Sequence, residues 1–596
     1  MSQIPERLKR LREAMRQEGL QAYMIPSTDA HQSEYVPECW QRRTWISGFT
    51  GSAGDVVVTQ DNAGLWTDSR YYLEAGGQLE GSGIVLFKSG LPGVLKAEDW
   101  LSKELAAGSR VGIDPRVVDL KASEAMEAAL TKHGLKLQFL EENLIDRIWE
   151  DQPEPAAAPI TVLEERHAGE PVESKLARIR EKMGEAGASV HVIAAMDSIA
   201  WLLNLRGSDV DYNPVFIAYA AIAKESATLF VNPEKANAEV RDQLAGLVDI
   251  RPYEDLKPYL QGRASEGDTI WLDESATNRW VADLVGDHAL RVERSPVSTF
   301  KAKKNPTELA GMRRAHQIDG VAVVRFLKWL DETISQDEPV SELTAAQKLE
   351  SFRQEGEGYV GQSFPTISGY GPHGSIIHYR VDESSDIPIG KDNLYLVDSG
   401  GQYLFGTTDI TRTLCFGSPT PEQKDAYSRV LRGHIELTTL CFPKGVTGKH
   451  IDVLARRSLW DAGLNFLHGT GHGIGHYLNV HEGPISISSR APEVALSEGH
   501  ILSNEPGCYS DGQFGIRTEN LIVVVADEVK SSDRQKFLKF ETLTRCPIDT
   551  GMIDTKTLGD HAVEWLNAYH ATVREDLTPL LAPEDASWLH SRTEPI

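Results

Sequence analysis

Five side chains able to ligate a divalent cation stand in short stretches of the C-terminal half. Asp398 lies in Tyr395-Leu-Val-Asp-Ser-Gly400, Asp409 in Gly406-Thr-Thr-Asp-Ile-Thr-Arg-Thr413 and His472 in His468-Gly-Thr-Gly-His-Gly-Ile-Gly475. Glu505 lies in Ser503-Asn-Glu-Pro-Gly507 and Glu519 in Gly515-Ile-Arg-Thr-Glu-Asn520. A hairpin turning around Gln402–Phe405 with Gly401 opposite Gly406 would set Asp398 opposite Asp409. Directly opposed Cβ atoms are about 4.5–5.5 Å apart. Carboxylates that close repel one another unless a cation sits between them. Two divalent ions balance the four carboxylates, and a neutral imidazole adds no charge. Oxygen-rich ligation with one imidazole suits Mn(II) first, then Co(II) or Zn(II). Two such ions about 3.5–4 Å apart can share a hydroxide nucleophile and polarise a carbonyl, which is hydrolytic chemistry. Singly, each residue has a plainer reading. A strand-end Asp is usually a turn or cap residue, and a Glu before Pro-Gly is usually loop surface. A lone His472 could be a core histidine, and Glu519 could pair with Arg517 two residues away. The whole set in this order points to metal.

These motifs need strands to hold them. Turn-bounded apolar runs occur at Asn393–Val397, Thr411–Phe416, His500–Ser503 and Leu521–Val525, with helical stretches at Pro421–Leu440 and Ile451–Ala462 between them. That is an α+β region without strict βαβ alternation. Its first helix is predicted from Pro306, with Asn305 as N-cap and Glu308 completing a capping box. Leu309, Met312, Ala315, Val323, Phe326 and Leu330 lie near its apolar stripe. Upstream there is a repeat. Arg7–Ile25 and Lys175–Ile193 share Leu8/Leu176, Arg10/Arg178, Arg12/Arg180, Glu13/Glu181, Met15/Met183, Gly19/Gly187 and Ile25/Ile193 without gaps. Each copy reads as amphipathic helix, glycine C-cap and strand. Asp151–Pro159 is Pro/Ala-rich and reads as a linker. Ser295–Pro306, with Lys301, Lys303 and Lys304, is a second break. Three domains are predicted: 1–152, a duplicate α/β domain at 153–302, and a C-terminal domain at 303–596.

Composition narrows the function. The 596 residues carry 61 basic and 87 acidic side chains, a net charge of −26. So acidic a surface repels phosphate backbones and anionic lipid, so neither nucleic acid nor membrane is an expected partner. No run of 18 apolar residues exists. The charged N-terminus lacks the apolar core of a signal peptide, and Glu6, Glu13 and Glu18 argue against a transit peptide. The five cysteines (Cys39, Cys415, Cys441, Cys508 and Cys546) have no C-x-x-C spacing, which fits a reducing cytosol. Gly445-Val-Thr-Gly-Lys449 lacks the spacing of a phosphate loop, and no H-E-x-x-H occurs.

The five motifs resemble those of the pita-bread-fold metallopeptidases, which include methionine aminopeptidase, prolidase and aminopeptidase P. His468–Gly475 with Leu478-Asn-Val-His-Glu-Gly-Pro484 is specifically similar to the cytosolic three-domain aminopeptidases P. So are Trp201-Leu-Leu-Asn-Leu-Arg-Gly-Ser-Asp209, Pro365–Ser368, Ile376–Tyr379 and Trp565–His570. The resemblance covers nearly the whole chain and implies two creatinase-like N-terminal domains before a pita-bread catalytic domain. It further implies a homodimer and a dinuclear manganese site. Asp398 would bind one ion, His472 and Glu505 the other, and Asp409 and Glu519 both. A bridging hydroxide would attack the Xaa-Pro carbonyl, with Glu505 as proton shuttle. His378 and His481 would contact substrate near the scissile carbonyl, His468 the proline pocket, and Arg70 the substrate from the first domain. Three positions depart from relatives: His373 where Asn is common, Ser503-Asn504 where Thr-Asp is common, and an added His476. Two rivals remain: a prolidase cleaving Xaa-Pro dipeptides, and a non-catalytic binding protein on the same fold.

Overall fold

The computed structural model describes residues 3–286 and 290–596. They form two compact units. One runs to Glu164 and resumes over Glu170–Ser298; the other comprises Glu165–Gly169 and Thr299–Ile596.

The first unit holds two six-stranded sheets of the same design. Helix α1 (Ile4–Gln17) buries Leu8, Leu11 and Met15. Gly19 ends it at φ 65°, where Leu20 N donates to Met15 O at 2.8 Å, and β1 (Ala22–Ile25) follows. Helix α2 (Val172–Ala186) ends in the same way: Gly187 has φ 68° and Ala188 N donates to Met183 O at 2.9 Å. The first sheet continues with β2 (Asp55–Thr59), β3 (Ala63–Thr67), β4 (Val85–Lys88), β5 (Arg110–Ile113) and β6 (Lys136–Phe139), in the order β4-β3-β2-β1-β5-β6. The second comprises β7 (Val190–Ile193), β8 (Tyr219–Ala223), β9 (Ala227–Phe230), β10 (Asp249–Arg251), β11 (Ile270–Leu272) and β12 (Leu290–Val292). Its order, β10-β9-β8-β7-β11-β12, repeats the first strand for strand. The helix-glycine-strand repeat is thus the opening of a repeated sheet.

In the second unit, α3 (Pro306–Ser335) starts at the expected cap. Glu308 N donates to Asn305 Oδ1, and Asn305 N to Glu308 Oε2, both at 2.9 Å. Its predicted stripe is buried except for Leu309, which is partly exposed. A three-stranded sheet joins β13 (Ile367–Tyr370), β14 (Leu394–Ser399) and, beyond the short β15 (Gly401–Tyr403) and β16 (Gly406–Thr407), β17 (Ile410–Cys415). Helices α4 (Pro421–Thr438) and α5 (Gly448–Trp460) pack on the rest of the domain. A six-stranded sheet contains β18 (Cys441–Pro443), β19 (Gly471–Gly473), β20 (Glu482–Ile487), β21 (Ile501–Asn504), then β24 (Asn520–Ala526) and β25 (Phe537–Thr542), ordered β18-β25-β24-β21-β19-β20. Between β21 and β24, β22 (Gly507–Ser510) and β23 (Phe514–Arg517) form a ribbon.

The hairpin register differs from the expectation. Tyr403 pairs with Gly406, so the turn is Leu404-Phe405 and Asp398 faces Thr411, not Asp409. Between the two ladders Gly400 and Asp409 drop out of strand pairing, and Gly400 approaches so closely that a Cβ there would lie 2.0 Å from Thr408 O. Thr408 N donates to Gly401 O, and Gly401 N to Thr408 Oγ1, both at 2.9 Å. Asp409 therefore leaves the ladder just before β17. The offset is two residues, so it does not invert the faces of the strands.

Candidate metal centre

Each of the five candidate ligands sits on a strand or directly beside one. Asp398 is on β14, Asp409 precedes β17, His472 is central in β19, Glu505 follows β21, and Glu519 lies between β23 and β24. Donor atoms of Asp409, His472 and Glu519 all lie within 4.8 Å of one another. His472 Nε2 stands 3.5 Å from Asp409 Oδ2 and 3.5 Å from Glu505 Oε1. Its other ring nitrogen lies 3.0 Å from Gly473 O. Donation from Nδ1 to that carbonyl leaves Nε2 with its lone pair toward the carboxylates. Ser503 Oγ accepts from His472 N at 2.9 Å and donates to Glu505 Oε1 at 3.2 Å, so the variant position Ser503 links two ligand candidates.

Asp398 joins through a hub, Arg517, that the sequence offers only as an alternative partner of Glu519. Arg517, fully buried on β23, donates from Nη2 to Asp398 Oδ2 at 2.6 Å and from Nε to Thr411 Oγ1 at 3.1 Å. Thr411 in turn donates to Glu519 Oε2 at 2.8 Å. Arg517 Nη2 also reaches Ile377 O at 3.4 Å, beside His378, and Nη1 donates to Tyr509 Oη at 2.7 Å. That hydroxyl stands 2.9 Å from His468 Nε2. The ring of His481 meets that of His472 edge-on, with centroids 4.3 Å apart. One guanidinium thus connects four stretches of the predicted site. Arg70 belongs to the first unit, where its Nε and Nη2 donate to Asp68 at 2.9 and 2.8 Å and its Nη1 lies 3.7 Å from Glu34.

A layer beneath the carboxylates draws Arg412, Asn504 and Asn520 from the same short stretches and His434 from outside them. Arg412 Nη1 donates to Glu519 O at 2.7 Å, and its Nη2 to Asn520 Oδ1 at 2.9 Å. His434, on α4, sits with Nδ1 3.0 Å from Asn504 O, while Asn504 Nδ2 donates back to His434 O at 2.9 Å. Burial and the Arg412 charge push the His434 imidazole down to about 3, so it stays neutral. The departure at His373 also has partners: its Nδ1 lies 2.9 Å from Glu342 Oε2, which accepts from Tyr379 Oη at 2.9 Å.

Electrostatically the cluster is short of positive charge. Burial, then Asp398 and Glu505, hold the Asp409 carboxyl well above its ordinary range. Burial and the neighbouring acids Asp409, Asp398 and Glu505 do the same to Glu519. Burial raises Glu505 too, against the opposing pull of His472 and Arg517. Asp398 Oδ1 is buried without a hydrogen-bond partner. An orphaned carboxylate oxygen among acids that resist ionisation fits a site built to hold a cation. The donor set, carboxylate oxygens with one imidazole, fits a pair of hard or borderline divalent ions.

Comparison with known proteins agrees with this architecture. Residues 7–147 and 151–308 match creatinase/prolidase N-terminal domains, 310–526 match metallopeptidase family M24, and 536–596 match the C-terminal region of peptidase M24. A probable Xaa-Pro aminopeptidase P from Laccaria bicolor is 42% identical over 606 residues, spanning 99% of this chain and 93% of that one. The structure of an X-prolyl aminopeptidase from Caenorhabditis elegans, described as a cytosolic enzyme with a di-nuclear active site, superposes with a TM-score of 0.96. It is 36% identical and covers 100% of both chains. A Xaa-Pro dipeptidase from Bacillus anthracis covers 63% of this chain at 22% identity and a TM-score of 0.52, a likeness of fold alone.

Proposed function

This chain belongs to the Xaa-Pro aminopeptidase P family of the M24 metallopeptidases, and we propose that it releases the N-terminal residue from peptides with proline second. The observation that carries this reading is the convergence of buried Asp409 and Glu519 with half-buried His472 and Glu505, with Asp398 tied in through Arg517. Asp398, Asp409, His472, Glu505 and Glu519 would hold two divalent ions, with Asp409 and Glu519 shared between them. Such ions supply Lewis acidity toward the scissile carbonyl and make water a nucleophile at neutral pH.

The chain's own groups do the rest. Glu505 takes a proton at an Oε atom and delivers it to the proline nitrogen, which must leave as a secondary amine. His481 and His378 donate to the carbonyl oxygen as negative charge develops on it. His468, held against Tyr509, lines the space for the proline ring. By family resemblance, Arg70 is a further candidate for substrate contact. Manganese as the native metal, a homodimer and a cytoplasmic location complete the proposal. The five free cysteines fit a reducing compartment. Among the described residues, no helix is long and apolar enough to cross a membrane.

The decisive assay offers Xaa-Pro dipeptides and Xaa-Pro-Yaa peptides separately to manganese-loaded protein. Cleavage of the longer peptides at the first bond supports the proposal. Cleavage of dipeptides alone makes the chain a prolidase. Binding of fewer than one ion per chain, with no cleavage, makes it a non-catalytic relative.

A further inference from the structure

Lys301, Lys303 and Lys304 read in the sequence as part of a basic break. Lys303 is exposed, but Lys301 and Lys304 are buried. Buried ammonium groups need a carboxylate, and both find the same one. Lys301 Nζ donates to Glu482 Oε2 at 2.7 Å, and Lys304 Nζ donates to Glu482 Oε1. Lys304 Nζ also donates to Lys301 O at 3.2 Å. With one ammonium on each oxygen, the plane of the Glu482 carboxylate is fixed. The lysine segment is itself anchored: Lys304 N donates to Gly499 O at 3.0 Å, and the Asn305–Glu308 capping box starts α3 directly after it. Burial and the charges of Lys304 and Lys303 push the adjacent His500 down to about 3, so its imidazole adds no positive charge here.

Glu482 opens β20 one peptide after His481. Opposite it, Gly473 pairs with Glu482 while His472 pairs with Ser486, so Gly483, Pro484 and Ile485 bulge out of the ladder. The approach at this point is close: a Cβ on Gly473 would lie 2.2 Å from Glu482 O. Glu482 is therefore the last fixed point before the bulge, between the residue after His472 and the ring of His481. A buried two-to-one charge cluster is a poor device for stability, since apolar groups of like volume do as well.

We propose that the Lys301–Glu482–Lys304 clamp is a positioning device that holds His481 at the angle from which it donates to the substrate carbonyl. This rests on the reading of His481 given above.

The test is a double-mutant cycle on manganese-loaded full-length protein, with metal content and melting temperature measured for each variant. Glu482→Gln should lower kcat about 10- to 100-fold with KM little changed and two ions retained. In a His481→Ala background the same change should cost less than about threefold, because nothing remains to be positioned. If Glu482→Gln fails to fold, Lys304→Met, which leaves Lys301 on the carboxylate, carries the same cycle. Unchanged kcat in Glu482→Gln, or losses that multiply in the double variant, overturns the clamp while leaving His481 as a donor. Unchanged kcat in His481→Ala overturns the donor role itself.

Discussion

Arg517 is the residue on which the site's internal balance turns. It is the guanidinium that meets Asp398, and it reaches Thr411, Ile377 and Tyr509 from one buried position. Its removal leaves a buried carboxylate without its cation, the most damaging way to break such a pair. Arg517→Met should weaken metal affinity about 10- to 100-fold, read by titration of the apoprotein with manganese. Unchanged affinity would show that the guanidinium supports structure only. Asp409→Ala removes a proposed bridge and should abolish turnover; normal activity would refute the bridging role. The ligand candidates were legible because each lies in its own short motif. For Arg517 the sequence offers only an alternative pairing with Glu519, because two-residue spacing suggests one strand face. The structure instead ends β23 at Arg517 and turns it across to β14. The roles of Arg412 and His434 were not legible, since they depend on main-chain carbonyls that carry no sequence signature.

At the scale of elements, the close approach at Gly400 decides where Asp409 points. Alternation of residue types located the two strands but not their register, because a two-residue slip preserves the faces and leaves the apolar pattern equally satisfied. What fixes the register is the turn at Leu404-Phe405, and the same register holds on both sides of Gly400. Gly400→Ala places a Cβ 2.0 Å from Thr408 O, so the backbone that aims Asp409 must move. Activity should fall at least about 100-fold, by the cost of misplacing a reacting group by about 1 Å. Gly361→Ala, on an edge strand with nothing within 4 Å of the new methyl, is the control and should keep full activity. Equal activity in the two variants would show that the approach at Gly400 is not what orients Asp409.

Across the whole molecule, the duplicated sheets of the first unit were visible only as a helix, a glycine and a strand, since later strands keep the same pairing with different residues. The −26 charge was visible at once, but most of it is solvated surface with no part in the chemistry. The acids of the metal cluster, rather than that surface, should control how metal-free protein responds to pH. Asp409, Glu505 and Glu519 have carboxyl groups raised above their unfolded values. Between the unfolded and folded pKa values the native state holds more protons, so its stability falls as pH rises. Apoprotein should therefore melt higher at pH 5 than at pH 7. Manganese, bound only by the folded chain, should raise the melting temperature most at pH 7, where about 4 kcal/mol per site is available at a thousandfold excess over Kd. An Asp409→Asn/Glu519→Gln variant serves as reference for acid effects elsewhere in the chain. Its apoprotein should lose the gain at pH 5 along with the manganese response. If that variant and the parent show the same pH dependence without metal, the carboxylates are not coupled to folding in this way.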